Sequence, residues 1–234
     1  TKVTVISNTE TKINANDVRG LKGVVTKVKE FDFSRVMTEG FDASAFDGYT
    51  TLVKISLPSN MTIIPKYCFR KCANLTTVTN WDKIKVISLE AFMECVKFNP
   101  SVLPSTLEEI HDNAFKACTA LSLNTLPDGL KKIGVAAFRQ SNVTFSEWPS
   151  AIEEIGGRAF CITPVTFTTW PENIPTMQPG VFINCYKITK FTVPASVTAI
   201  GGAVFRMDQG VKRDIYMCSK TPISTIVDTA EGGN

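Results

Sequence analysis

The sequence predicts a repeat solenoid, in which short units stack into one continuous core. Three observations lead to this fold class: a fixed period, a shared place for a phenylalanine, and a proline after most of the alternating segments. Each of these phenylalanines marks one unit, and the units are numbered 1 to 8 in chain order. Successive phenylalanines lie 23, 23, 23, 23, 22, 22 and 23 residues apart. A period in the twenties is typical of solenoids, because one such unit cannot bury its apolar face alone. The repeat phenylalanines are Phe46, Phe69, Phe92, Phe115, Phe138, Phe160, Phe182 and Phe205.

Each unit begins with two predicted parts. The first is a short helical turn, typified by residues 87–95, where apolar residues are spaced by four, one and three positions. The second is a strand of alternating, β-branched residues, as in 52–57, 75–79 and 188–193. These strands are expected to stack as a parallel sheet. We therefore expect a right-handed leucine-rich-repeat superhelix with one short strand and one helical turn per unit of 22–23 residues.

A proline follows the strand in most units and begins the third part. Proline has no N–H to donate to a sheet and its φ is fixed, so it ends the strand and turns the chain. Glycines such as Gly134, Gly156 and Gly201 then give room for a tight corner before the next unit. The prolines are Pro58, Pro104, Pro127, Pro149, Pro171 and Pro194.

Units 4 to 6 leave two possibilities for the strand register. Counted back from the following proline, Phe145 and Phe167 align with Lys54 of unit 1, which is expected to face solvent. An exposed apolar patch there would mark a binding site. A one-residue slip would instead turn both rings inward. Because the slip avoids burying Ser146 and Thr168 without partners, we predict that both rings are buried and these two residues exposed.

The repeat also sets the predicted domain boundaries. Residues 1–24 lack the repeat and are expected to cap the N-terminal end, where unit 1 would otherwise expose its core. Residues 25–222 are predicted to form a solenoid of about eight units, and residues 223–234 a C-terminal tail. Since the sequence begins with Thr1 rather than Met, we expect a mature or trimmed form that has lost any export signal or anchor.

Four of the seven cysteines share one position, three residues after the repeat phenylalanine. The same position holds Tyr49 in unit 1 and Ser141 in unit 5. A disulfide framework or a metal site would not tolerate such replacement. Reduced, buried thiols that pack as small hydrophobic groups are therefore predicted. The four are Cys72, Cys95, Cys118 and Cys185.

Composition and motifs argue against several functional classes. A hydrophobic fraction of 44% and a charged fraction of 20% are typical of a folded chain, and the net charge of +3 includes no dense basic stripe for nucleic acid. No apolar run in this chain reaches the roughly 20 residues of a membrane-spanning helix. The single histidine, His111, has no neighbouring nucleophile or metal-ligand set. We expect no enzymatic activity, no cofactor and no metal.

The unit resembles that of the BspA-type leucine-rich-repeat family. The resemblance rests on the pattern Ile-(four residues)-Phe-(two)-Cys-(two)-Leu-(four)-Leu-Pro, clearest in residues 110–127, and it covers about residues 25–222. Trp81 in place of a proline and the two 22-residue spacings depart from the pattern. The resemblance implies a cell-surface or secreted protein of host-associated bacteria or some protists. Its implied role is adhesion to a protein partner, with host matrix and surface proteins as candidates.

Three functions remain open on the sequence. The first is protein binding on the open face of the sheet. The second is carbohydrate binding by Trp81, Trp148 and Trp170, which stand where strands end and are also suited to a rim of the core. The third is a structural spacer. The residues expected to line the protein-binding face are Lys54, Thr77, Thr79, Thr125, Thr169, Lys190 and Thr192.

Overall fold

The computed structural model of the chain is a solenoid of short parallel strands, as the repeat predicts. The structure describes residues 2–4, 20, 28–36, 40–208, 212–219 and 223–226. Its strands contain two to four residues each. In chain order they are β1 (Lys2–Thr4), β2 (Glu30–Asp32), β3 (Lys54–Ser56), β4 (Ile63–Ile64), β5 (Thr77–Thr79), β6 (Val86–Ile87), β7 (Glu109–Ile110), β8 (Lys132–Ile133), β9 (Glu154–Ile155), β10 (Thr176–Met177), β11 (Lys190–Val193), β12 (Ala199–Gly201), β13 (Asp214–Met217) and β14 (Ser224–Ile226).

The strands form two faces of the solenoid. The first face contains β1, β2, β3 and β5 in its N-terminal part and β11 and β13 in its C-terminal part. The second face contains β4, β6, β7, β8 and β9, followed by β10, β12 and β14. Equivalent residues of successive units pair, as Ile55 does with Val78 on the first face and Ile64 with Ile87 on the second. The predicted parallel sheet is therefore present, and a second sheet lies where a corner was expected.

The prediction of a helical turn is wrong. None of the residues described between 40 and 208 is helical, and those around the repeat phenylalanine form consecutive turns. In units 1 to 7 the residues two before and two after this phenylalanine have φ near +60°, for example Asn113 at 54° and Ala117 at 59°. Left-handed residues at this frequency are incompatible with a right-handed helix. The apolar spacing therefore comes from turns.

These turns are tied to the next unit by backbone hydrogen bonds, and we name the stack the turn ladder. The N–H of Phe115 donates to the carbonyl oxygen of Ala137 in the following unit at 2.8 Å, while the N–H of Cys118 closes a turn onto Phe115 at 3.2 Å. The sheets also contain bonds in the opposite direction. On the second face, the N–H of Lys131 donates to the carbonyl oxygen of Glu108 in the preceding unit at 2.8 Å. Each junction is therefore bonded both ways.

The core consists of rows of equivalent apolar residues, with the repeat phenylalanines as its central row. Successive rings stack with centroids between 5.2 and 6.1 Å apart, and all of them except Phe205 are buried. Rows of aliphatic residues flank it, such as those of Ile110 and Leu121, which are both fully buried. The predicted stacking of the phenylalanines is confirmed.

The register predicted for units 4 to 6 is also confirmed. Phe145 and Phe167 are 0% and 1% exposed, whereas Ser146 and Thr168 face solvent. Both rings pack edge-on against Phe160 of the central row, with centroids 6.3 and 5.3 Å away. The alternative of an exposed phenylalanine patch on these units is excluded.

Gly134 and Gly156 mark places where the backbones of neighbouring units come close together. A Cβ atom on Gly134 would lie 2.5 Å from the backbone nitrogen of Asp112, and one on Gly156 would lie 2.5 Å from that of Val135. Any side chain would clash at these distances, so the absence of a Cβ is what these corners need. The predicted tight corners are thus close contacts between units.

The two ends of the solenoid bear on the predicted boundaries. Strand β1 pairs with β2, while most of the predicted cap, residues 1–24, lies outside the described residues. Strand β14 pairs with β12, so the second face continues to residue 226, beyond the expected boundary at 222. The β-branched pair Thr225–Ile226 favours this extended segment. The remainder of the predicted tail lies outside the described residues.

Candidate functional site

The residues predicted to line the binding face lie on the outer side of the first face, but not in one cluster. Strands β3 and β5 belong to units 1 and 2, whereas β11 belongs to unit 7, and extended segments without a continuous ladder lie between them. The exposed residues of the set are Lys54, Thr125, Thr169 and Lys190, and the half-buried ones are Thr77, Thr79 and Thr192.

Trp170 does not belong to any binding surface, which corrects the prediction for this residue. Its side chain is 0% exposed, and its Nε1–H donates to the carbonyl oxygen of Ile174 at 2.9 Å. The ring packs edge-on against Phe182 of the central row, with centroids 6.1 Å apart. Trp170 therefore fills the core of unit 6 and cannot stack on a sugar.

The other two tryptophans are half-buried. Trp148 stacks on Phe167 with parallel rings and centroids 3.7 Å apart, and its Nε1–H donates to the carbonyl oxygen of Thr169 at 2.7 Å. Trp81 packs edge-on against Phe98, with centroids 5.9 Å apart. Both belong to the rim of the core, and each leaves part of its ring accessible.

A groove follows the edge at which the strand segments of units 2 to 5 end, and we name it the strand-exit groove. It consists of two adjoining depressions of about 450 and 590 Å³ that share Thr125, Leu126 and Pro127. Trp81 lies in the first depression and Trp148 in the second. The lining residues are Trp81, Asp82, Val102, Leu103, Pro104, Ser105, Asn124, Thr125, Leu126, Pro127, Asp128, Thr144, Ser146, Glu147 and Trp148.

The groove lies where the hydrogen-bond ladder of the first face is interrupted. Pro100 occupies in unit 3 the position that Thr77 has in unit 2, and it has no N–H with which to extend the sheet beyond β5. Units 4 and 5 are still joined by the N–H of Thr144, which donates to Leu123 at 2.8 Å. Further along, the N–H of Ser146 has no acceptor among the described residues. A free main-chain donor therefore borders the groove.

Val102 is the exposed apolar residue of this groove, at 60% exposure. Sequence analysis missed it. It stands two residues before Pro104, at a position that is polar in units 1, 2 and 4 to 7. A single apolar residue in a row of Ser, Thr and Glu is the signal that could have identified it.

Three carboxylates lie along the groove without a cation. Asp82, Asp128 and Glu147 are exposed, and no described residue pairs with their side chains. Neither lysine nor arginine is among the lining residues. In a chain with a net charge of +3, the groove is therefore locally negative. Sequence analysis missed these residues because only stacking brings them together.

Carboxylates on the second face, in contrast, are paired between units. Lys85 and Lys131 both contact Glu108, at 2.9 and 3.3 Å, and their hydrogen bonds lower the pKa of this carboxyl. Lys132 contacts Glu154 at 2.8 Å. Opposite charges on neighbouring strands favour the observed register. Glu108 and Glu154 are thus neutralised by lysines, whereas the three groove carboxylates are not.

The sequence pattern behind this architecture is shared with a known family. The model of the BspA type leucine rich repeat region matches residues 24–99 and 85–212, in six copies. The chain belongs to this family. The family's repeat accounts for the solenoid, and its identity agrees with the resemblance found in the sequence.

Solved structures similar to this BspA-type leucine-rich-repeat chain include two bacterial proteins. A leucine rich cell surface protein from Faecalibacterium prausnitzii A2-165 has a TM-score of 0.65 and 18% identity, over 93% of this chain and 69% of that chain. A leucine rich repeat protein from T. pallidum has a TM-score of 0.47 and 23% identity, over 79% of this chain and 73% of that chain. The first similarity supports the fold. No curated protein sequence gives a significant match.

The cysteines of the leucine-rich repeat form a row of buried thiols, as predicted. The Sγ of Cys118 donates to the carbonyl oxygen of Phe92 in the preceding unit at 3.0 Å, and Cys72, Cys95 and Cys185 make the same contact at 2.9 to 3.1 Å. Burial raises the pKa of both Cys118 and Cys185 to about 12. These thiols are unreactive structural groups.

The remaining polar groups suggest no chemistry of their own. The Nε2 of His111 lies 2.7 Å from a carboxylate oxygen of Glu109 on the partly exposed second face. Within the described ranges, no group of three or more His, Cys, Asp or Glu side chains is placed to hold a metal ion. In the same part of the chain, no helix is long and apolar enough to cross a membrane.

Proposed function

We propose that this chain is a binding protein without catalytic activity, which holds a protein partner in the strand-exit groove and on the adjoining first face. The observation that carries the proposal is the groove itself, where the exposed Val102 lies in one depression with Trp81 and the unpaired carboxylate of Asp82. A concave surface that combines apolar and aromatic side chains with a few polar groups is typical of binding sites.

A location at the cell surface or outside the cell is part of the proposal. Membership of the BspA-type family supports it, as does the fold shared with a protein described as a cell surface protein. The partner would then be a protein met outside the cell, such as a host matrix or surface protein.

Carbohydrate binding through the tryptophans has less support. Trp170 is buried, and one ring face of Trp148 is covered by Phe167. Stacking on a sugar requires an open ring face, so Trp81 is left as the main candidate. A structural spacer would make no use of the exposed Val102.

The test uses the immobilised chain, a panel of purified extracellular-matrix proteins and a glycan array. The variant Val102→Lys places a positive charge in the groove. Its matched control is Ile63→Lys, because Ile63 is an exposed apolar residue, at 48%, on the second face. We expect at least one matrix protein to bind, and Val102→Lys but not Ile63→Lys to abolish this binding.

The other outcomes favour the other functions. Glycan binding that is lost in Trp81→Ala would favour the carbohydrate module. Absence of binding to both the matrix proteins and the glycan array would favour a structural spacer. Equal loss of protein binding in the two Lys variants would contradict a site in the groove.

A further inference from the structure

We propose that the strand-exit groove binds an extended polypeptide segment that carries several lysine or arginine residues. The inference rests on the proposed function and defines the chemistry of the partner at that same site. Three features of the groove lead to it: its length, the free N–H of Ser146 and its unpaired negative charge.

The length of the groove suits a short extended segment. Its lining residues come from equivalent positions of units 2, 3, 4 and 5. The first and the last of these units are separated by three steps of the solenoid. At about 4.8 Å between neighbouring parallel strands, the groove is roughly 14 Å long. An extended chain rises about 3.3 Å per residue, so about four residues would lie within it.

The interrupted ladder explains why the segment would be extended. Pro100 ends the regular pairing after β5, and the N–H of Ser146 has no acceptor among the described residues. An extended segment keeps its carbonyl oxygens free to accept from this N–H, whereas a helix uses most of its own carbonyls internally. The groove therefore offers one main-chain hydrogen bond to an extended peptide.

The charges of the groove select a cationic partner. Asp82, Asp128 and Glu147 come from units 2, 4 and 5, so negative charge is spread along the whole length. None of the three is neutralised by a described residue. Complementary potentials steer the approach of a charged partner and fix its register.

Lysine and arginine also suit the apolar part of the groove. Their long hydrocarbon stems pack on apolar surface while the charged ends remain in water, and Val102 and Leu126 provide such surface. The accessible parts of Trp81 and Trp148 add aromatic surface, over which a cation is attracted by the ring. The apolar residues and the carboxylates of the groove thus both favour lysine and arginine side chains.

The test measures binding of a fluorescent peptide of about eight residues, with alternating lysine and valine and blocked ends, by fluorescence anisotropy. A glutamate–valine peptide of equal length is the charge control. We expect only the lysine peptide to bind. Raising the salt from about 50 to about 300 mM should weaken its binding, because exposed charges are screened.

Two triple variants with the same change of net charge locate the site. The variant Asp82→Asn, Asp128→Asn, Glu147→Gln should bind the lysine peptide about tenfold more weakly or worse. The control variant Glu94→Gln, Glu153→Gln, Asp214→Asn removes three acids outside the groove and should retain the affinity of the parent chain.

Equal binding of the two peptides, no binding of either, or equal losses in the two variants would overturn the inference. If a matrix protein still binds through Val102 in those cases, the proposed function survives and only the cationic segment is wrong. If the chain alone forms a dimer that Val102→Lys dissociates, the groove is occupied by a second copy, which also overturns the inference.

Discussion

The position three residues after the repeat phenylalanine accepts thiols and hydroxyls, but these groups bond differently. Each of the four cysteines donates to the phenylalanine carbonyl of the preceding unit. Ser141 and Thr163, at the same position in units 5 and 6, donate instead to Phe138 and Phe160 of their own units, at 2.7 and 2.6 Å. The thiol has longer bonds and reaches across the junction. Cysteine thus adds a hydrogen bond to the backbone of the preceding unit that Ser141 and Thr163 lack.

Burial of Cys118 predicts a loss of stability in alkaline solution. Its pKa is raised to about 12 from an ordinary value of 9.0, so the folded chain holds this proton more tightly than the unfolded chain. The corresponding stability is fully present below pH 9.0 and is lost as the pH rises toward about 12. In Cys118→Ser, whose hydroxyl does not titrate, the free energy of unfolding should fall less over this interval in urea titrations.

The exposed Cys218 provides the control for this measurement. Cys218→Ser should leave the alkaline loss of stability as it is in the parent chain. The same pH dependence in Cys118→Ser and the parent chain would show that the buried thiol does not contribute.

The turn ladder shows why the element between the sheets was misassigned. Left-handed positions can be predicted from sequence when they hold Gly or Asn. Four positions of the turn ladder do so, namely Gly48, Gly180, Asn113 and Asn184. Most of the other left-handed positions hold residues that normally avoid this conformation, including Ala117. Hydrogen bonds to the next unit offset the local cost, and such bonds exist only once the units are stacked.

Ala117→Gly should therefore stabilise the chain. Ala117 has a left-handed conformation, with φ of 59°. This conformation costs free energy in a residue with a Cβ, whereas glycine adopts it without that cost. We expect a net gain of about 0.5–1 kcal/mol in the free energy of unfolding, after the greater entropy of unfolded glycine is subtracted. Urea denaturation would measure it.

Ala120→Gly is the matched control in the same unit. Ala120 is half-buried and lies in a turn, but its φ is not positive. The substitution should lower the free energy of unfolding by about 0.5–1 kcal/mol. Glycine loses more conformational entropy on folding than alanine, and at this position it relieves no left-handed conformation. A loss at both sites would refute a conformational cost at Ala117.

At the scale of the whole molecule, the repeat made most of the fold predictable. The spacing of Phe115 and its equivalents identified the solenoid, and the alternation around Phe145 identified the buried register. The groove could not be predicted, because Asp82, Val102 and Glu147 are far apart in sequence and meet through the stacking of four units. The predicted sheet-face residues remain a prediction, and Trp170 shows that an aromatic residue at a strand end can belong to the core.

The central row of phenylalanines predicts a position-dependent loss of stability. Phe115 is fully buried between Phe92 and Phe138, with centroids 5.4 and 5.5 Å away. Phe115→Ala should cost about 3–5 kcal/mol, because it leaves a cavity in the middle of the row. Phe205 is partly exposed and has one neighbour in the central row, Phe182, so Phe205→Ala should cost less.

Urea denaturation of both variants checks this difference. A solenoid held together by contacts between neighbouring units should be more sensitive in its middle than near its end. Equal losses for the two substitutions would contradict this nearest-neighbour description of stability.

Hydrogen bonds cross the junctions between units in both directions, and this has a consequence for how such a chain evolves. In the turns a unit presents donors to the next unit, as Phe115 does, and on the second face it presents acceptors, as Glu108 does. A recombination event that duplicates or removes one whole period leaves each remaining junction matched. An insertion of another length misaligns the bonds at the junctions of the unit that receives it unless the extra residues bulge outward. Selection can therefore change the number of units freely while it holds their length at 22 or 23 residues.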